Sequence, residues 1–230
     1  MGNYWPPRRF PRRTISLPLL HRTSDATAAR IGAGWTSDLS AAGARVELAE
    51  HFDPSKSLHV RLQTDRGSIE GEARVVWASP QPDEGGIWHG VAFTRLAPKH
   101  LQTLRDLLFS MKPWWPAGGR LPINLPVTCR THRSPRPSLV GRAGNLSRGG
   151  TLLRLPKRLL PLTDLEFTIR RSGDSLTLRG AVVWSEPHGK QRTGELIAHG
   201  LRFTELDWMS SVDLARFLAE PQEKLRTFKD

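Results

Sequence analysis

The stretch Asp38-Leu39-Ser40-Ala41-Ala42-Gly43-Ala44-Arg45-Val46 returns 107 residues later as Asn145-Leu146-Ser147-Arg148-Gly149-Gly150-Thr151-Leu152-Leu153. Three further matches keep the same order. Ala73-Arg74-Val75-Val76-Trp77 answers to Gly180-Ala181-Val182-Val183-Trp184 at an offset of 107, and Ser16-Leu17-Pro18 to Asn124-Leu125-Pro126 at 108. His89-Gly90 with Phe93 answers to His199-Gly200 with Phe203 at 110. Four matches at nearly one spacing make the chain two copies of a domain of about 110 residues. The divider is Lys112-Pro-Trp-Trp-Pro-Ala-Gly-Gly119, where Pro and Gly stop both helix and strand. The expected domains are therefore residues 1–112 and 113–230.

Each copy reads mainly as β. In the first, Thr14–Arg22, Gly43–Ala49, Leu58–Thr64, Ile69–Ser79 and Ile87–Arg95 are short runs rich in Val, Ile, Leu, Trp and Phe, several alternating with polar residues. Asp65-Arg66-Gly67 and Ser172-Gly173-Asp174 fall at matching hairpin turns. Each copy then closes on a helical pattern. Leu101, Leu104, Leu107, Leu108 and Met111 recur at three and four with Pro98 in the first turn, and Val212, Ala215, Phe217 and Leu218 follow a Ser210-Ser211 cap. Antiparallel strands at short spacing followed by one helix predict a small barrel plugged or flanked by that helix.

Composition narrows the function. Of 230 residues, 38% are hydrophobic and 24% charged, which excludes wholesale disorder. The single Cys excludes an intramolecular disulfide and a cysteine-built zinc cluster. No apolar run approaches the roughly 20 residues of a membrane span, and the basic N-terminus lacks the apolar core of a secretory signal. A cytoplasmic protein is expected. The net charge of +12 is uneven, with +4 in residues 1–112 and +8 in 113–230, and no acid occurs between Asp106 and Asp164. That gap holds Lys112, Arg120, Arg130, Arg133, Arg136, Arg142, Arg148, Arg154, Lys157 and Arg158. It is either a solvated basic face or a patch that draws phosphate.

The sequence offers little catalytic machinery. Ser40 and Ser147 lack the Gly two residues upstream of a nucleophile elbow, and Gly189-Lys190 lacks the rest of a phosphate loop. No two histidines are spaced for zinc on one helix; His89 and His199 read as strand residues beside a packing Gly. Cys129 lies in an apolar strand pattern and reads as a small buried hydrophobe. The chemistry that remains is an arginine-rich arm, Arg8, Arg9, Arg12 and Arg13, followed by the Asp38–Gly43 loop. A guanidinium fork grips phosphate oxygens or the O6/N7 edge of guanine through two parallel bonds. A carboxylate or amide accepts from a guanine Watson–Crick edge.

The succession R-x-x-x-R (Arg8, Arg12), Leu17-Pro18, D/N-x-S-x-x-G (Asp38, Ser40, Gly43), then Trp77, Gly90 and Phe93, resembles the PilZ domain, and the resemblance covers essentially the whole chain as two tandem copies. It implies two six-stranded antiparallel β-barrels, each with a C-terminal α-helix, and a non-enzymatic receptor for cyclic di-GMP, with no further cofactor and no metal. In such receptors the arginines clasp phosphates and guanine edges while the second motif contacts guanine from the barrel. Carried over, Arg8 and Arg12 are the clasp, Arg9 a helper, and Asp38, Ser40 and Gly43 the barrel-side contacts.

The second copy departs from the pattern. Asn145, Ser147 and Gly150 keep the second motif, but Arg120 stands at the Arg12 position and Pro116 at the Arg8 position. Half the clasp is absent, so these residues form at best a weaker second site. The resulting expectation is a cyclic di-GMP receptor whose N-terminal arm is mobile when free, orders on binding, and presents a changed surface to a partner protein. The alternatives are a docking module that has lost the ligand and a nucleic-acid binder using residues 112–158. The latter segment carries only Trp114 and Trp115 as aromatics, too few for a stacking platform.

Overall fold

In the computed structural model the described residues are 10–23, 31–79, 85–111, 119–131, 139–187 and 195–220. The chain divides into two compact units, Met1–Ala117 and Gly118–Asp230.

The first unit runs β1 (Arg13–Thr14), β2 (Pro18–Thr23), β3 (Gly32–Ser40), β4 (Gly43–Leu48), β5 (Ser57–Thr64), β6 (Gly67–Ser79), β7 (Ile87–Leu96) and α1 (Pro98–Ser110). Neighbouring strands pair antiparallel in the order β3-β2-β5-β6-β7-β4, and β4 returns to β3, closing a six-stranded barrel with the two-residue β1 added on β3. Alternation explains the closure. Along β5, Leu58, Val60, Leu62 and Thr64 point inward, and the residues between them stay partly or fully in solvent. Leu17, Leu39, Leu48, Ile69, Val75 and Val91 complete the core, joined by Leu104 and Leu107 of α1. Each such side chain contributes about 1.5–3 kcal/mol on burial. Pro98 occupies the first turn of α1, where its missing N–H costs nothing.

The second unit repeats the plan with β8 (Leu121–Thr131), β9 (Leu139–Ser147), β10 (Gly150–Leu155), β11 (Asp164–Arg171), β12 (Asp174–Ser185), β13 (Ile197–Phe203) and α2 (Trp208–Ala219). Its six strands close as β10-β13-β12-β11-β8-β9. Phe167, Ile169, Leu153, Leu155 and Val182 fill the barrel, and Val212, Leu214, Ala215, Phe217 and Leu218 are the buried face of α2. Arg171 fastens the helix end: its Nη1 donates to the Phe217 carbonyl at 2.6 Å and its guanidinium lies 4.4 Å from the Phe217 ring. Both hairpin turns carry a glycine at positive φ, Gly67 at 113° and Gly173 at 76°.

Three sequence expectations need correction. Gly32–Ser40 is a strand, although its glycines and polar residues hid it; Leu39 points into the core, and Trp35, also fully buried, stands opposite Pro18 and Glu47. Consequently Asp38 and Ser40 sit on a strand end rather than in a loop. The Thr14–Arg22 run is broken between β1 and β2, whereas its counterpart β8 is continuous. The cap of α2 is Asp207, whose Oδ1 accepts from the Ser210 N–H at 2.7 Å; Ser210 and Ser211 lie inside the first turn.

The two His-Gly pairs serve the barrels in the same way. His89 Nε2 accepts the Phe52 N–H at 3.1 Å and its Nδ1 bonds the Ile87 carbonyl at 3.0 Å; His199 does the same with Leu159 at 3.1 Å and Ile197 at 2.8 Å. A ring that accepts at one nitrogen and donates at the other is neutral, and burial lowers the pKa of both histidines. Among the described residues no helix is long and apolar enough to cross a membrane.

Candidate functional site

The repeated D/N-x-S-x-x-G segment first builds the barrel. In the β3–β4 pair the register jumps between Thr36 and Asp38, leaving Ser37 as an extra residue, and Asp38 Oδ1 accepts the Arg45 N–H at 3.1 Å. In the β9–β10 pair Gly144 is the extra residue, and Asn145 Oδ1 accepts the Leu152 N–H, also at 3.1 Å. A carboxylate or an amide does this equally well, because only an oxygen lone pair is required. The serines stitch the following turn. Ser40 Oγ donates to the Gly43 carbonyl at 3.1 Å and accepts from the Ala42 N–H at 3.3 Å; Ser147 Oγ donates to the Gly150 carbonyl at 3.1 Å. The glycines let strands approach. A Cβ on Gly43 would lie 2.1 Å from the Val91 oxygen, and one on Gly150 2.1 Å from the Leu201 oxygen. Ser40, only 3% exposed, therefore shapes the surface on which Asp38 stands.

Around Asp38 the first unit gathers cations. Arg12 Nη1 lies 2.6 Å from Asp38 Oδ1, so the residues just before β1 are tied to the barrel without any ligand. Arg45 Nε lies 3.6 Å from Asp38 Oδ2 and donates to Ser37 Oγ at 2.6 Å. The Arg45 guanidinium is 5.1 Å from the centre of the Trp88 ring. One carboxylate faces two guanidiniums, so the cluster keeps a net positive charge beside an aromatic face. Sequence reading missed Arg45 and Trp88. Their signal was register: Arg45 pairs with Gly90 and Trp88 with Glu47, which makes Arg45 and Trp88 diagonal neighbours on adjacent strands. Arg8 and Arg9 lie outside the described residues, as do residues 1–9 of the 1–13 arm expected to be mobile when free.

Among its described residues the second unit lacks this cluster. Arg120 is exposed and precedes the Leu121–Leu146 pair as Arg12 precedes Arg13–Leu39. The counterpart of Asp38 there is the uncharged Asn145, however, and Leu152 replaces Arg45. Arg142 is engaged elsewhere, donating from Nε to Asn124 Oδ1 and from Nη2 to the Asn124 carbonyl. Pro116 lies outside the described residues.

Other candidate chemistry is absorbed by packing. Burial pushes the Cys129 thiol up to about 12, far from a reactive thiolate. Trp77 and Trp184 rest on Gly90 and Gly200, where an added Cβ would fall 2.0 and 2.1 Å from the indole nitrogens. Among the described residues no group of three or more His, Cys, Asp or Glu could hold a metal ion.

A family model, PilZ domain, matches residues 6–110 and again 118–220. No curated protein matches the chain. Among solved structures, the Bacillus subtilis inhibitor of motility MotI/DgrA is 11% identical, with 89% of this chain and 94% of that one covered at a TM-score of 0.37. The Borreliella burgdorferi PlzA protein in complex with c-di-GMP is 12% identical over 91% and 93% of the chains, TM-score 0.34. The PilZ domain of Escherichia coli YcgR with c-di-GMP is 17% identical over 45% of this chain and 90% of that one, TM-score 0.39.

Proposed function

The chain belongs to the PilZ domain family, in two tandem copies, and from that premise we propose that it is a cyclic di-GMP receptor whose main site is on the first domain. The observation that carries this reading is the Arg12–Asp38–Arg45 cluster beside Trp88, where two cationic forks, a carboxylate and an aromatic face meet at the point where the arginine-rich arm joins the barrel. Each part has a counterpart in the ligand. Guanidiniums bind the phosphates or the O6/N7 edge of guanine, the Asp38 carboxylate accepts from guanine N–H groups, and Trp88 offers a face to a base. Arg8 and Arg9, four and three residues upstream of Arg12, complete the clasp. Ser40 and Gly43 serve it indirectly, by setting the turn that presents Asp38.

In the free chain Arg12 and Asp38 satisfy each other. Their side chains are 28% and 18% exposed, and a pair so placed is worth about 0.2–1 kcal/mol. A dianionic ligand therefore takes Arg12 from Asp38 at little cost and frees the carboxylate for guanine. Binding re-seats the arm on the barrel, and a partner protein reads that change. The second domain keeps the motif as scaffold, with Arg120, Asn145, Ser147 and Gly150 forming at most a weaker site. The protein acts as a regulator rather than as an enzyme, and works in the cytoplasm.

Calorimetric titration of the whole chain with cyclic di-GMP tests this. Asp38→Ala should weaken binding by about tenfold or more, the value of one hydrogen bond to a charged group, while Asn145→Ala should leave it nearly unchanged. Absence of binding by the unmodified chain would refute the receptor reading, and the reverse order of the two variants would move the site to the second domain.

A further inference from the structure

The two domains differ sharply at one loop that neither the motif nor the ligand reading uses. In the first domain, between β4 and β5, the Phe52 N–H bonds His89, and Ser55, at φ 74°, donates its N–H to the Val75 carbonyl. In the second domain, between β10 and β11, the Leu159 N–H bonds His199, and Leu162, at φ 66°, donates its N–H to the Val182 carbonyl. The loops are thus equivalent position by position, and Asp53 and Ser55 are replaced by Leu160 and Leu162.

These two leucines face solvent, 72% and 85% exposed. A bulky side chain in the left-handed region is strained, and here burial returns nothing for that strain. The loop is bound to β12 by Leu162 N to Val182 O, Val182 N to Thr163 O and Ser185 Oγ to Leu159 O. It therefore runs beside Val183 and Trp184, which are 56% and 47% exposed. The loop and the strand segment bonded to it thus carry four exposed large apolar side chains.

Arg158, immediately before the loop, supplies the polarity. Its Nε and Nη2 are buried and have no hydrogen-bond partner among the described residues, while the side chain as a whole keeps part of its surface in solvent. A guanidinium does not deprotonate, so an incompletely hydrated one is a standing demand for an anion. Its neighbour Lys157 is exposed and adds a second positive charge. Glu186 Oε2 accepts from the Ala198 N–H at 3.3 Å.

We propose that the Leu160–Leu162 loop, Val183, Trp184 and Arg158 form a docking surface for an acidic segment of a partner protein, with apolar side chains seated on the leucines and Trp184 and a carboxylate on Arg158. The apolar rim selects a peptide over a nucleic acid, whose backbone would need several cations and no leucines. The proposal does not rest on the cyclic di-GMP reading, and its test uses no nucleotide.

The probe is a fluorescein-labelled twelve-residue peptide alternating Leu or Phe with Glu, read by fluorescence anisotropy against the full chain. A peptide with Lys in place of Glu and a labelled DNA oligonucleotide serve as comparisons. The Glu peptide should bind, and the Lys peptide should not. Arg158→Met and Leu160→Asp should each weaken the Glu peptide about tenfold or more. Leu162→Gly should also weaken it while leaving the thermal midpoint unchanged or raised, because Gly relieves the positive φ. Equal binding of both peptides, equally tight binding of DNA, or no binding of the Glu peptide overturns the proposal. So does a fall in midpoint for Leu162→Gly, which would make the leucine part of the fold.

Discussion

Replacing Arg12 by Ala separates the ligand role of this side chain from its role in the fold. Among the described residues Arg12 contributes one hydrogen bond to the barrel, the 2.6 Å bond from Nη1 to Asp38 Oδ1. Because the pair is partly exposed, its loss should cost about 0.2–1 kcal/mol of stability. For a domain near 100 residues that is a fall of roughly 1–8 °C in midpoint. Asp38 keeps its bond to the Arg45 N–H, so the bulge survives. Toward cyclic di-GMP the same truncation removes a charge-assisted bond worth roughly 1.5–3 kcal/mol, about ten- to a hundredfold in affinity. Arg12→Lys keeps the charge and loses the fork, and should fall between. Calorimetric titration gives the affinity, and a thermal melt of the same samples gives the stability. Unchanged affinity in the Ala variant would refute the assignment of Arg12. A midpoint loss well beyond 8 °C would show that Arg12 is a structural staple whose binding defect is secondary.

Gly43→Ala should destabilise by about 1–3 kcal/mol, as overpacking does, because its Cβ would meet the Val91 oxygen at 2.1 Å and the Ala92 Cα at 3.1 Å, both backbone. Gly90→Ala should cost less, since the obstacle there is the partly exposed Trp77 ring, which can swing; chemical denaturation of the two variants gives the order. Stability should also fall on acidification. His89 and His199 are neutral in the fold with lowered pKa values. Below their ordinary value of 6.5 the unfolded chain binds protons that the folded chain refuses. The loss begins as pH drops through 6.5, with a limiting slope of about 1.4 kcal/mol per pH unit for each histidine, and ends at the folded pKa values. Melts from pH 8 to 5 should show it, and His89→Gln with His199→Gln should flatten it. Cys129, buried with its thiol pushed up to about 12, should resist a thiol reagent in the native protein and react on unfolding.

Most of the architecture was legible because its determinants are periodic or repeated. Alternation in β5, the three-and-four spacing of Leu101, Leu104, Leu107, Leu108 and Met111, and the recurrence of whole segments at an offset near 107 all survive in one dimension. The missed strand shows the limit. Gly32–Ser40 has three residues, Gly32, Gly34 and Thr36, whose places are set by what crosses them. A Cβ on Gly34 would meet the Glu47 oxygen at 2.2 Å, and Thr36 Oγ1 bridges the Ile15 carbonyl and the Leu17 N–H. Those constraints come from β4 and from the chain entering β2, and no local window contains them.

The candidate site shows the same division more sharply. The sequence singled out Asp38 and Arg12 as candidates, and could not say that they bond each other across 26 positions. Nor could it tell which motif residues face a ligand. Ser40 and Gly43 recur as Ser147 and Gly150, and in both domains they hold the same turn and the same strand approach. A feature kept in both domains is accounted for by the barrel. What distinguishes them is the set of charged groups: two guanidiniums and a carboxylate, Arg12, Arg45 and Asp38, in one against the single guanidinium of Arg120, with Asn145 and Leu152, in the other. A dianion discriminates between surfaces through cationic forks, so the difference between the copies, and not their shared motif, locates the proposed ligand site. The same comparison at the Ser55 and Leu162 loops locates the proposed docking surface on the other domain. Duplication leaves the scaffold common to both domains, and each new function is then read where one copy departs from the other.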